Sequence, residues 1–171
     1  DGTLVLIPEY ELINQSSVDL QHTSGAWLWK LESLFRQGQK NELGTEQNFY
    51  SFVGGFEYNF FGAFDTNADL GLLAEYMRDS RLNKSTDALQ HDVFFGFRLA
   101  LNDESDTQAL AGLVQDLHES TRQFFLEASR RISDSMRASL ELQIFSSIER
   151  GDILSDLRED DFLGVEFAYY Y

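Results

Sequence analysis

The residue pattern predicts an all-β chain: an antiparallel up-and-down meander of about nine or ten strands that rolls into a barrel. Hydrophobic residues recur with a period of two in one segment after another, and the connections between those segments alternate between tight and long. Composition adds a third indication. Aromatic residues make up 14% of a chain that is mildly hydrophilic on average, so the greasy residues must be interleaved with polar ones.

Taken in order, a weak strand at 12–22 sets Val18 and Leu20 against Asp19 and Gln21. Residues 26–36 place Trp27, Trp29, Leu31 and Phe35 on one face, opposite Lys30, Glu32 and Arg36. Residues 50–60 follow with Tyr50, Phe52, Phe56, Tyr58 and Phe60 against Ser51, Gly55, Glu57 and Asn59. Then Leu70, Leu72, Ala74 and Tyr76 oppose Asp69, Gly71 and Glu75, and Val93, Phe95, Phe97, Leu99 and Leu101 oppose Asp92, Gly96 and Arg98. The segment 107–117 is too uniformly small and apolar for its faces to be assigned. Residues 124–132 and 137–145 are the cleanest pair, with Phe124, Leu126, Ala128 and Ile132, then Ala138, Leu140, Leu142 and Ile144, as the apolar faces. Their opposite faces carry Glu127, Ser129 and Arg131, then Arg137, Ser139, Glu141 and Gln143. The last segment, 161–171, sets Leu163, Val165, Phe167, Tyr169 and Tyr171 against Gly164, Glu166 and Ala168. That makes nine strands. The connections at 23–25, 102–106 and 132–136 are tight, those at 37–47, 79–90 and 146–160 long, 61–68 is moderate, and 118–120 is short where a long one is expected.

With 171 residues and no Pro/Gly/Ser-rich linker, residues 1–171 read as one unit. A net charge of −16 excludes nucleic acid as a partner, since phosphate contacts need clustered Lys and Arg and only 13 are scattered here. The absence of Cys excludes disulfides, thiolate metal sites and Cys nucleophiles, and suits passage through an oxidising periplasm. No apolar run approaches the ~20 residues of a transmembrane helix, and Asp1 to Leu6 lack the basic start of a signal peptide. The expectation is therefore a processed chain or a fragment.

Alternation alone fits either a soluble barrel, with its apolar face inward, or a membrane barrel, with its apolar face outward. Aromatic residues near strand ends favour the membrane arrangement, because their rings prefer the membrane–water interface. So does a strand length of ~9–11 residues, which crosses a bilayer at a tilt.

The C-terminal run Phe162-Leu163-Gly164-Val165-Glu166-Phe167-Ala168-Tyr169-Tyr170-Tyr171 resembles the terminal strand of Gram-negative outer-membrane β-barrel proteins, apart from its three final Tyr residues. The resemblance implies localisation in the cell outer membrane, contact with its lipid and lipopolysaccharide, and recognition of this strand by the barrel-assembly machinery. The stretch Ile7-Pro8-Glu9-Tyr10-Glu11-Leu12-Ile13-Asn14, followed by Val18-Asp19-Leu20-Gln21 and Trp27-Leu28-Trp29-Lys30-Leu31-Glu32, is similar to the C-terminal halves of larger, functionally undescribed porin-like barrels of environmental Gram-negative bacteria. That similarity implies further strands before Asp1. Parity agrees, because an even strand number needs either such strands or a short tenth strand at Thr3–Ile7, despite Pro8.

As a site, the polar faces offer a lumen lining: Lys30, Glu32, Glu57, Glu75, Arg98, Glu127, Arg131, Arg137, Glu141 and Glu166. Trp27, Trp29, Phe167, Tyr169 and Tyr171 are the residues expected to face lipid and to serve assembly. The lining is either a charged pore or a set of neutralised pairs that plugs a narrow barrel. His22, His91 and His118 are separated in sequence and read as interfacial or loop residues, and Ser16 with His22 is too widely spaced for a hydrolase pair. The acidic run Asp152, Asp156, Glu159, Asp160 and Asp161 lacks the order of a calcium loop and reads as solvated. No metal, cofactor or enzymatic activity is expected. The functional expectation is a passive porin-like channel with a net-acidic lumen that admits small solutes or ions; a non-conducting structural or assembly-partner barrel and a soluble ligand-binding barrel are the alternatives.

Overall fold

The computed structural model describes residues 10, 12–41, 44–85 and 87–171. The possible short strand at Thr3–Ile7 lies outside them, as does most of the stretch from Ile7 to Glu11. The described chain is one sheet of nine antiparallel strands in sequential order. They are β1 (Asn14–Ser24), β2 (Trp27–Lys40), β3 (Glu46–Ala63), β4 (Ala68–Asp79), β5 (His91–Ala100), β6 (Gln108–Asp116), β7 (Arg122–Ser133), β8 (Met136–Ser146) and β9 (Phe162–Tyr169). Two single 3-10 turns, Leu82–Lys84 and Ser155–Leu157, interrupt the loops. The sheet is open among the described residues: β1 and β9, which run in the same direction, are its two edges.

One rim carries the tight turns. Gly25-Ala26 joins β1 to β2 with Gly25 at φ +59°, the left-handed conformation that two-residue hairpin loops favour. Asp134-Ser135 joins β7 to β8, next to a register shift between Arg131 and Ser133. The other rim carries the loops 41–45, 80–90, 117–121 and 147–161. The long polar connection expected at 37–47 is corrected here. Strands β2 and β3 run on as far as Lys40 and from Glu46, past a register shift between Arg36 and Gln39, leaving a loop of residues 41–45.

Register places the two faces of every strand. Gln15, Asp19 and Gln21 share a face with Arg36, Glu32 and Lys30, and through them with Phe49, Val53 and Gly55, and with Glu75 and Met77. The same face continues through Asp92, Gly96 and Arg98, then Asp116, Gly112 and Leu110, then Phe125, Glu127 and Ser129, then Gln143, Glu141 and Ser139, and ends on Phe162, Gly164 and Glu166. This settles the segment left open by its composition: in β6, Leu110, Gly112 and Val114 lie on the charged face, and Ala109, Ala111 and Leu113 on the apolar one.

Burial follows this division in an unusual sense. The charged face holds most of the buried residues of the strands, among them Phe49 at 3% exposure, Glu57 at 5%, Asp92 at 2%, Met77 and Phe145, while the small Ala68 and Ala111 are buried on the apolar face. The apolar face holds most of the strands' exposed large hydrophobics, including Val18, Leu20, Trp27, Trp29, Leu31, Phe35, Phe95 and Phe97, with Leu163 at 65% and Phe167 at 66%. The sheet is inside-out by the standard of a water-soluble fold, in which apolar area is the part withdrawn from solvent.

Candidate functional site

The charged face is organised by three glycines, each in a middle strand, that let side chains of the two flanking strands meet above it. Gly55 of β3 stands in register between Lys30 of β2 and Glu75 of β4, and a Cβ there would overlap Glu75 and the Ala74 carbonyl. Across that gap Lys30 Nζ comes to 3.8 Å from Glu75 Oε1. Gly71 of β4 lies beside Arg98 of β5 and would press a Cβ to 3.2 Å from Glu57 Oε1. Over it the Arg98 guanidinium donates to the buried Glu57 carboxylate of β3. Gly112 of β6 leaves room for Phe94 of β5 and Phe125 of β7, whose rings stack 6.0 Å apart at an interplanar angle of 6°. Glycine costs a strand some stability, and here it is spent on close approach.

The sequence-predicted lining residues Lys30, Glu32, Glu57, Glu75, Arg98, Glu127, Arg131, Arg137, Glu141 and Glu166 therefore do share one face, but they do not pair within strands. Lys30 meets Glu75 and not Glu32, and Arg137 turns away from Glu141. At the tight-turn rim Arg137 Nη2 donates to Asp106 Oδ2 at 2.6 Å and its Nη1 to Ser129 Oγ at 3.0 Å, while Arg131 donates to the Glu104 carbonyl. The Arg137 guanidinium, with the Gln108 amide beside it, draws the Asp106 carboxyl below the ordinary carboxylate range.

These pairings leave one part of the face acidic. Glu127 and Glu141 stand directly opposite each other on β7 and β8, Glu141 faces Gly164, and Glu166 lies two residues along β9. Among the described residues no salt bridge engages these three carboxylates. They line a trough of about 650 Å³ with Arg98, Gln108, Ser129 and Ser139. No group of His, Asp and Glu among the described residues has the geometry of a metal site.

The apolar face carries an aromatic cluster beside the Gly25-Ala26 turn. Trp27 and Trp29 stack at 5.3 Å with an interplanar angle of 13°, Tyr58 meets Trp27 edge-on at 4.6 Å, and Phe56 touches both Trp rings. Trp27, Trp29, Phe167 and Tyr169 all lie on this face and are exposed; Tyr171, just beyond β9, is exposed as well.

Sequence reasoning missed two features at the loop rim. Arg81, in loop 80–90, sits over the Phe49 ring with Cζ 3.6 Å from its centroid and forms ion pairs with Asp79 at 2.6 Å and Asp87 at 2.7 Å. Its bond to Asp79 raises the Arg81 pKa further. Secondly, His91 and His118, far apart in sequence, line one pocket of about 240 Å³ with Asp116, Glu119 and Asp152. Asp152, read from sequence as part of a solvated run, is instead bonded to Thr121 of the neighbouring loop. No signal in a single sequence would have found either feature, because each depends on which loops the meander brings together.

Comparison with protein-family models, with curated proteins and with solved structures finds no match to this chain.

Proposed function

We propose that this sheet is the wall, or part of the wall, of a β-barrel in the outer membrane of a Gram-negative bacterium, and that it serves as a passive porin-like channel with a net-acidic lumen. The observation that carries the reading is the inverted distribution of burial: aromatic and aliphatic side chains stand exposed on one face from β1 to β9, while carboxylates such as Glu57 and Asp92 are buried on the other. Lipid is the solvent in which such a face is stable. The Trp27–Trp29–Tyr58 cluster at the tight-turn rim suits an interfacial aromatic belt, and the exposed Phe167, Tyr169 and Tyr171 suit a terminal strand presented to an assembly machinery. A soluble ligand-binding barrel would need the opposite arrangement, with Leu163, Val165 and Phe167 turned inward.

The charged face also favours cation passage. Among the described residues, Asp19, Glu32, Glu57, Asp69, Glu75, Asp79, Asp92, Asp116, Glu127, Glu141 and Glu166 share it with Lys30, Arg36, Arg98, Arg131 and Arg137 as the bases. Of those bases, Lys30, Arg98 and Arg137 are held in ion pairs, whereas Glu127, Glu141 and Glu166 face the trough. Reversal potentials of the protein in planar bilayers under a salt gradient test this. Cation preference is expected, and it should weaken as the Debye length falls from ~10 Å at 0.1 M to ~3 Å at 1 M salt. Anion preference would contradict the channel reading, and an absence of conductance would leave a structural barrel whose ion pairs fill the lumen.

A further inference from the structure

The loop rim gathers carboxylates that form no salt bridge among the described residues. Asp92 of β5 and Asp116 of β6 are register partners, so two like charges stand directly opposite each other, and Asp92 is buried. Asp92 accepts the His91 backbone N–H at 2.9 Å. Asp116 accepts those of His118 and Glu119, each at 2.6 Å, which folds loop 117–121 back over the rim. Loop 147–161 then reaches across: Asp152 accepts the Thr121 hydroxyl on one oxygen and the Leu154 N–H, at 2.8 Å, on the other. Glu119, Asp116 and Asp152 face one another over the 240 Å³ pocket, whose other walls include Ser85 and Gln90 of loop 80–90, His91 and His118. Glu149 adds a further negative charge from loop 147–161. Among the described residues no salt bridge joins Asp92, Asp116, Glu119 or Asp152 to a Lys or Arg.

We propose that this rim is a proton-operated latch: acidification fastens loops 117–121 and 147–161 to each other over the ends of β5 and β6, and rising pH releases them. Any consequence for conduction rests on the channel reading above; the latch itself does not. The geometry supplies the switch, because the docked arrangement brings together carboxylates that repel when all are ionised, and undocking of loop 147–161 carries Asp152 and Glu149 away from them. The Glu119 carboxyl is raised above its ordinary range by burial first, and next by the charge of Asp152 and a hydrogen bond to it. The sign follows from linkage. Between the ordinary carboxylate value and the raised one, the docked state binds a proton that the undocked state does not, so docking strengthens as pH falls through this window and weakens as pH rises through it. Each linked proton changes the docked-to-undocked ratio by up to about tenfold per pH unit inside the window.

The chain has no Cys, so an introduced pair is unique. Leu117 of loop 117–121 and Ile153 of loop 147–161 are both exposed, and Ile153 lines the pocket. Spin labels on the Leu117→Cys/Ile153→Cys protein in detergent micelles report the distance between these two loops by pulsed double resonance. A narrow short-distance population is expected at about pH 5, falling about tenfold relative to the broad one by about pH 8. Adding Glu119→Gln and Asp152→Asn keeps the shape and one of the two acceptor oxygens at position 152, removes the repulsion between these two groups across the loops, and should hold the loops docked at both values. Identical distributions across the pH range in the parent protein, release on acidification, or an unchanged pH response in the Gln/Asn variant would each overturn the latch. A pH response in a protein that conducts nothing would support the latch and remove the channel; a cation-selective pore with unresponsive loops would do the reverse.

Discussion

Single residues on the charged face do their work through what they omit. Gly112 lets Phe94 and Phe125 stack across β6, and a side chain there would run into both rings. Gly164, on the same face of β9, has its nearest neighbour, Glu141, 3.9 Å from where a Cβ would stand. Overpacking a filled site costs ~1–3 kcal/mol, whereas substitutions into open space stay within about ±0.5 kcal/mol. Gly112→Val should therefore destabilise the protein by ~1–3 kcal/mol and Gly164→Ala should be near neutral, as measured by urea unfolding from lipid vesicles. Equal effects at the two positions would mean that the ring stack is not formed. Charge pairs at the tight-turn rim behave differently from the loop-rim acids. Asp106, held low by Arg137, adds stability above the ordinary carboxylate pKa and loses it as pH falls through the lowered value, the reverse of Glu119.

At the level of the strand, face assignment is the claim most open to test. Leu140 and Glu141 are adjacent in β8 and point to opposite faces, Leu140 beside Ala128 and Val165, Glu141 beside Glu127 and Gly164. An Arg at the bilayer midplane costs ~2–4 kcal/mol, and a lumenal one far less. Leu140→Arg should cripple folding into vesicles while Glu141→Arg folds at close to the parent yield; similar losses at both would refute the assignment. Most of the nine strands were legible in the sequence because a sheet with one apolar and one polar face imprints a period of two. The pattern fails where that asymmetry does. Residues 37–40 and 46–48 are polar on both faces, so their strands read as loop, and Phe49 then appears on the charged face beneath Arg81. In β6 the small apolar residues of both faces erase the alternation. The actual partners of Lys30 and Arg98 were not legible, since Glu75 and Glu57 lie two strands away and only the register brings them near.

For the molecule as a whole, the decisive property is that large exposed hydrophobics gather on one side of the sheet, from Val18 and Leu20 on β1 to Leu163, Val165 and Phe167 on β9. A patch of this extent in water is an aggregation surface; in a bilayer it is the solvated face. The ion pairs, the stacked rings and the acidic trough lie on the opposite, charged face, and the proposed latch at the rim that bears the longer loops. The chain's two Trp residues, Trp27 and Trp29, both lie on the apolar face next to a tight turn, so intrinsic fluorescence reports on that face alone. Quenching by lipids brominated at defined acyl positions, set against quenching by aqueous acrylamide, measures what surrounds them in reconstituted vesicles. Strong quenching by bromines close to the headgroup, weaker quenching by deeper ones and little by acrylamide is the predicted result. Efficient acrylamide quenching with no effect of brominated lipid would contradict the placement of this face in the membrane.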